Sequence, residues 1–181
     1  MNIRRQLGFT LIEILVGIAM LAVIAGFAMP AFSRLTDQRK VVSVKDSLTA
    51  TLRYAQSEAI RSPFPIEICA SSDFTTCTGA VLDWKKGWLV QQLSVPPITL
   101  KVFQAPKLSN NQIVNITVRN PITINAGSAI TSVTFNPNGL PFPVGAIFRV
   151  CDERTKALLT ATLGPSGAAM ETKTVPTICP T

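Results

Sequence analysis

The sequence predicts an α+β protein: a long N-terminal helix, half membrane-spanning and half amphipathic, packed on a head domain rich in antiparallel β-sheet. Three observations predict it. An apolar stretch holding one acidic residue opens the chain, a stripe of apolar residues at helical spacing follows, and beyond residue 63 short β-branched runs alternate with turn residues. A chain of 181 residues has room for one core-bearing domain and one further element.

The first element starts with a short basic leader, Met1 to Gly8, containing Arg4 and Arg5. Phe9-Thr10-Leu11-Ile12-Glu13 follows, and then Ile14 to Phe32 without a charge. That stretch matches the roughly 20 residues a helix needs to cross a bilayer core. A secretory signal cut near Ala28 or Ala31, an uncleaved anchor and a buried soluble helix all compete for it. The last is disfavoured because the stretch has no polar face. Glu13 weighs against the other two, since a carboxylate at mid-membrane costs about 2.5–3.5 kcal/mol, and less near an end. It implies a partner. Arg34, Arg39 and Lys40 balance the leader arginines, so positive charge does not fix orientation. Gly17, Gly26 and Pro30 would loosen or kink the helix.

From Ser33 to about Arg61 the pattern turns amphipathic. Val41, Val44, Leu48, Leu52, Ala55 and Ala59 recur at intervals of three and four, with Arg39, Lys40, Lys45, Asp46, Arg53 and Glu58 mostly off that stripe. Ser62-Pro63 ends the helix, because Pro63 disfavours α conformation in the residue before it. Strands are expected near Pro65–Cys69, Gly87–Leu93, Ile98–Phe103, Val114–Arg119, Val133–Phe135, Ala146–Cys151 and Leu158–Leu163. Pro96-Pro97, Asn110-Asn111, Asn136-Pro137-Asn138-Gly139 and Gly164-Pro165-Ser166-Gly167 punctuate them.

Composition narrows the chemistry. There is no histidine, which removes Ser-His-Asp and Cys-His nucleophiles, His-ligated metals and the usual proton shuttle. No phosphate-cradling glycine motif occurs, no cofactor is implied, and no catalytic residue is expected. The net charge is +7, which permits attraction to nucleic acid or anionic lipid without demonstrating either. The four cysteines fall into two local groups that suggest Cys69–Cys77 and Cys151–Cys179 disulfides, although three pairings are possible. Zinc is the rival, but there is neither a C-x-x-C spacing nor a histidine, so no metal is expected. Disulfides imply an oxidising compartment, the periplasm or the exterior.

The run Gly8-Phe9-Thr10-Leu11-Ile12-Glu13 resembles the G-F-T-L-I-E signature of type IV prepilins and type II secretion pseudopilins, unbroken and in the right setting. The resemblance implies a type IV pilin-like fold, cleavage by a prepilin peptidase after Gly8, and N-methylation of Phe9. Glu13 would then be the fifth mature residue, neutralising the N-terminal amine of a neighbouring subunit. Further motifs resemble the FimT/FimU–GspH group of minor pilins and pseudopilins, with the FimU-like members favoured. These are Tyr54–Ala59, Cys69–Asp73, Asp83–Trp88, the turn Phe135–Gly139 and the strand Phe148–Cys151.

By that resemblance the chain divides into a cleaved leader (1–8), a transmembrane and assembly helix (9–32), an amphipathic helix (33–62) and a periplasmic head (63–181). It implies a non-catalytic subunit that primes a type IV pilus and sits at or near its tip. The partners would be other minor pilins, the major pilin, the prepilin peptidase and the inner membrane, before passage into the extracellular fibre. Two alternatives remain. One is a GspH-like pseudopilin of type II secretion. The other is a FimT-like subunit that captures DNA through a basic Gly-Arg-x-Arg element, but here that region reads Gly164-Pro165-Ser166-Gly167 without arginine. Arg149, Arg154, Lys156 and Lys173 are the candidate phosphate contacts, and ordinary surface charge is the simpler reading of them.

Overall fold

The computed structural model describes residues 10–77, 80–106, 115–120, 128–152 and 157–173. Its first element is a helix, α1 (Leu11–Arg61), ending one residue before Ser62-Pro63. Thr10 starts it: the Glu13 N–H donates to the Thr10 carbonyl at 3.1 Å and to its hydroxyl at 3.3 Å. The chain divides into two compact units, residues 1–36 and 37–181.

In the first unit every described side chain from Leu11 to Gly26 is exposed. Among the described residues no helix is long and apolar enough to cross a membrane. The side chains of 27–31 lie outside the description.

In the second unit the predicted stripe is buried throughout: Val41, Val44, Leu48, Leu52, Ala55 and Ala59 have no exposed surface. Ten strands follow. They are β1 (Ile66–Ala70), β2 (Gly87–Gln92), β3 (Ile98–Gln104), β4 (Asn115–Asn120), β5 (Ser128–Ala129), β6 (Ser132–Phe135), β7 (Pro141–Phe142), β8 (Ile147–Asp152), β9 (Ala157–Leu163) and β10 (Ala169–Lys173). They form two five-stranded sheets, ordered β3-β2-β1-β6-β7 and β10-β9-β8-β4-β5. Every pairing is antiparallel.

Alternation sets which rows face inward. Ile68 pairs with Val90 and Val133, and Ile66 with Phe135, in the first sheet. In the second, Val150 pairs with Ile116 and Phe148 with Val118 and Ala161. These rows and the helix stripe form a single buried cluster. Trp84, on a short 3₁₀ turn between β1 and β2, ties the sheets together. Its ring meets Phe148 edge-on at 5.6 Å, and its indole N–H donates to the Ile130 carbonyl at 2.9 Å. Trp88 instead stacks on Phe103 of the adjacent strand, with ring centroids 4.1 Å apart. Both tryptophans thus anchor the core.

Three strands were not expected: β5, β7 and β10. The first two are only two residues long. The last, Ala-Met-Glu-Thr-Lys, has little β propensity of its own and exists because the Gly164–Gly167 turn lays it in register on β9.

Candidate assembly surfaces

The helix start is built from Thr10 and Glu13. Thr10 supplies the oxygen that an unpaired N-terminal amide needs, and its spacing to Glu13 is that of a capping box. Sequence reasoning passed over Thr10, although Thr-x-x-Glu ahead of an apolar run was the available signal. The Glu13 carboxylate has no ion-pair partner among the described residues. Gly8 and Phe9 lie outside the described residues, so the cleavage point and the mature N-terminus carry no geometry here.

At the other end of α1, Gln56 joins three distant segments. Its carboxamide nitrogen donates to the Gly139 carbonyl at 3.2 Å and to the Ser166 carbonyl at 2.7 Å. Gly139 closes the turn between β6 and β7, and Ser166 lies in the turn between β9 and β10, so one side chain holds a turn from each sheet. The backbone there admits only glycine. Gly139 and Gly167 have φ of +77° and +83°, and a Cβ on Gly167 would collide with the Gln56 amide and approach the Gly139 carbonyl to 2.7 Å. Gln56 was within a motif noted in the sequence, but nothing in the sequence identified what it would bind.

The predicted Cys69–Cys77 disulfide is present, with the Cα atoms 5.6 Å apart. The loop it closes is organised from within. The Ser71 hydroxyl donates to Asp73 and accepts from the Phe74 N–H. Asp73 also accepts from the Thr75 and Thr76 amides and, at 2.6 Å, from the Thr76 hydroxyl. These donors, the Thr76 hydroxyl foremost, hold its carboxyl far below the usual carboxylate range. Glu67, Cys69 and Cys77 converge closely enough to suggest metal ligands. Both sulfurs are tied up in the disulfide, however, and Glu67 accepts from Gln91 at 2.8 Å, so the cluster lacks thiolates for a metal. Cys151 is also disulfide-bonded, and its expected partner, Cys179, lies outside the described residues.

Of the basic candidates, Arg149 lies in β8 and Lys173 in β10. Arg154 and Lys156 lie outside the described residues.

Two family models match the chain. One, described as "Type II transport protein GspH", covers residues 46–167, most of α1's buried stripe and nearly all of the head. The chain belongs to the GspH family. The other, a prokaryotic N-terminal methylation motif, covers residues 3–29. Together they make it a type IV pilin-like protein of the FimT/FimU–GspH group, a class of structural subunits that are membrane-anchored with periplasmic heads. Among solved structures, the type IV minor pilin FimU of Pseudomonas aeruginosa PAO1 is similar in two crystal forms. The first shares 22% identity at a TM-score of 0.56, covering 76% of this chain and 92% of that one. The second shares 22% at 0.52, covering 72% and 90%. That likeness shows the shared α+β fold. No curated protein matches the chain significantly.

Within this GspH-family head, the motifs seen in the sequence fall at its joints. Tyr54–Ala59 and Phe135–Gly139 meet in the Gln56 contact, Cys69–Asp73 forms the disulfide loop, Asp83–Trp88 carries both core tryptophans, and Phe148–Cys151 supplies an inner strand. At Gly87 a Cβ would strike the Phe103 carbonyl, which accounts for that glycine by close approach of β3.

Proposed function

We propose that this chain is a minor type IV pilin that primes assembly of a pilus and is incorporated at or near its tip, turning over no substrate. The observation that carries the reading is the unbroken Gly8–Glu13 motif, supported by the methylation-motif match that spans it. On this reading a prepilin peptidase cuts after Gly8, Phe9 becomes the methylated N-terminus, and residues 9–32 hold the subunit in the inner membrane with its head in the periplasm. The Glu13 carboxylate then meets the Phe9 amine of a neighbouring pilin, minor or major. Two opposite charges in a low-dielectric bundle attract strongly, and either one buried alone is costly.

The test combines mass spectrometry of the membrane-extracted chain with a Glu13→Val variant. The mature chain should begin at Phe9, and Glu13→Val should insert normally yet fall at least about tenfold in the filament fraction, the effect of losing roughly 1.4 kcal/mol of pairing. A chain that keeps its first eight residues, or a variant that assembles fully, refutes the reading.

Membership of a type II transport protein family favours one second reading, a pseudopilin of type II secretion. A chain found with secretion components and not with pili would establish it. DNA capture has less support, because the turn that would carry the basic element instead holds Gln56 through its backbone. A gel shift with the full chain at low and moderate salt tests it, and no shift at low salt removes it.

A further inference from the structure

Three ligand-bearing side chains meet on one face of the first sheet. Glu67 and Cys69 are two positions apart in β1, so they leave the strand on the same side, opposite the core residues Ile66 and Ile68. Cys77 returns to them at the end of the loop, and the three ligand atoms lie within 4.8 Å of one another. The Glu67 Oε2 sits 3.5 Å from the Cys77 sulfur and accepts from the Gln91 carboxamide at 2.8 Å. As a disulfide the sulfurs carry no charge. As thiolates they would add two negative charges beside a carboxylate, an arrangement that calls for a cation. The loop also has fastenings besides the sulfur bond. The Ser71 hydroxyl reaches the Thr76 carbonyl at 2.7 Å, and Asp73 accepts from the Thr75 and Thr76 amides at 3.0 Å each. The residue before Cys77 is thereby held to the second residue after Cys69, so both sulfurs stay close when the bond between them is open.

We propose that the reduced chain binds a zinc ion through Glu67, Cys69 and Cys77, so that metal and disulfide are alternative staples of the same loop. Two thiolates and a carboxylate suit zinc, which takes sulfur and oxygen ligands in tetrahedral geometry, and a water completes the set. Two Zn–S bonds of roughly 2.3 Å place the sulfurs roughly 3.8 Å apart. Cysteines whose Cα atoms are 5.6 Å apart reach that separation by side-chain rotation. Gln91 supplies the outer hydrogen bond that orients a ligating carboxylate. The reduced form is the one in which every chain is made, since thiols pair only when an oxidant reaches them. Zinc uptake releases the two thiol protons to solvent and changes no oxidation state. Closure then passes two electrons from the thiolates to a disulfide-bearing oxidant, which departs as two thiols, and frees the ion. The proposal goes beyond the filament reading and does not depend on whether the leader is cut.

The test titrates the full chain in detergent, reduced with a phosphine, with zinc and with cobalt as its coloured substitute. The metal should give a thiolate-to-cobalt charge-transfer band and slow amide exchange across residues 71–76. Cys69→Ser with Cys77→Ser should abolish both signals, and any metal taken by Cys151 and Cys179 remains in that variant as the background. Gln91→Leu should weaken zinc about tenfold, and Glu67→Gln, which removes a ligand outright, should weaken it further. With zinc at about ten times its dissociation constant, oxidised glutathione should close the Cys69–Cys77 bond about tenfold more slowly. No band at millimolar cobalt overturns the proposal. So does a band that persists undiminished in the double cysteine variant, or a Glu67→Gln variant that binds as tightly as the natural chain. Should the reduced head lose its exchange protection, zinc must restore it, and a reduced head left unprotected by zinc overturns the proposal as well.

Discussion

The two ends of α1 share a helix and differ in what they ask of their surroundings. From Leu11 to Gly26 the apolar side chains point all round and every described one is exposed. From Val41 to Ala59 they form a stripe that the head buries completely. An all-round apolar surface can be satisfied only by something outside the chain, lipid or other helices, whereas a stripe is satisfied by one packed layer. The first half is built for company and the second for its own head.

Truncating side chains in each half is the harshest way to break this contrast. Leu52→Ala should destabilise the head by about 2–5 kcal/mol, read from the urea midpoint. Leu15→Ala, which removes the same atoms from a residue 54% exposed, should leave that midpoint in place. Equal costs would mean that the N-terminal half is covered within the chain.

The disulfide sharpens the contrast from the head's side. Cys69→Ser with Cys77→Ser should cost about 2–3 kcal/mol by the loop-entropy relation. Hydrogen exchange should rise in the Cys69–Cys77 loop and stay unchanged from Leu11 to Gly26. Gln56 comes next. Gln56→Leu should cost about 1–3 kcal/mol, since it leaves two carbonyls without their donor. It should also loosen the Gly139 and Gly167 turns together, one in each sheet, and loss of protection in only one turn would deny the joint role.

The smallest effect concerns pH. The Asp73 carboxyl titrates lower in the folded protein than in the unfolded chain, so its contribution is present above the unfolded value, near pH 4, and is lost as pH falls through the lower folded value. Asp73→Asn should remove that part of the acid dependence of loop exchange and leave the helix signal alone. An unchanged acid profile would assign the dependence to other carboxylates.

Much of this was legible beforehand because it is periodic or punctuated. The helix stripe follows from spacing, its end from Pro63, and seven strands from β-branched runs. The Cys69–Cys77 bond was suggested by proximity in sequence. β10 and Gln56 were not legible. A strand of Ala-Met-Glu-Thr-Lys forms only because β9 offers it a ladder, and a glutamine shows its importance only once residues 83 and 110 positions away arrive beside it.

The sequence by itself determined where the helix lies, that its two halves want different environments, and that a signature for processing and assembly precedes them. Tertiary structure alone decided that the strands split into two sheets and that one carboxamide fastens both to the helix. The division has a physical cause. Periodicity and local stereochemistry act over a few residues and can be read along the chain, whereas long-range hydrogen-bond partners depend on which distant segments the buried core brings together.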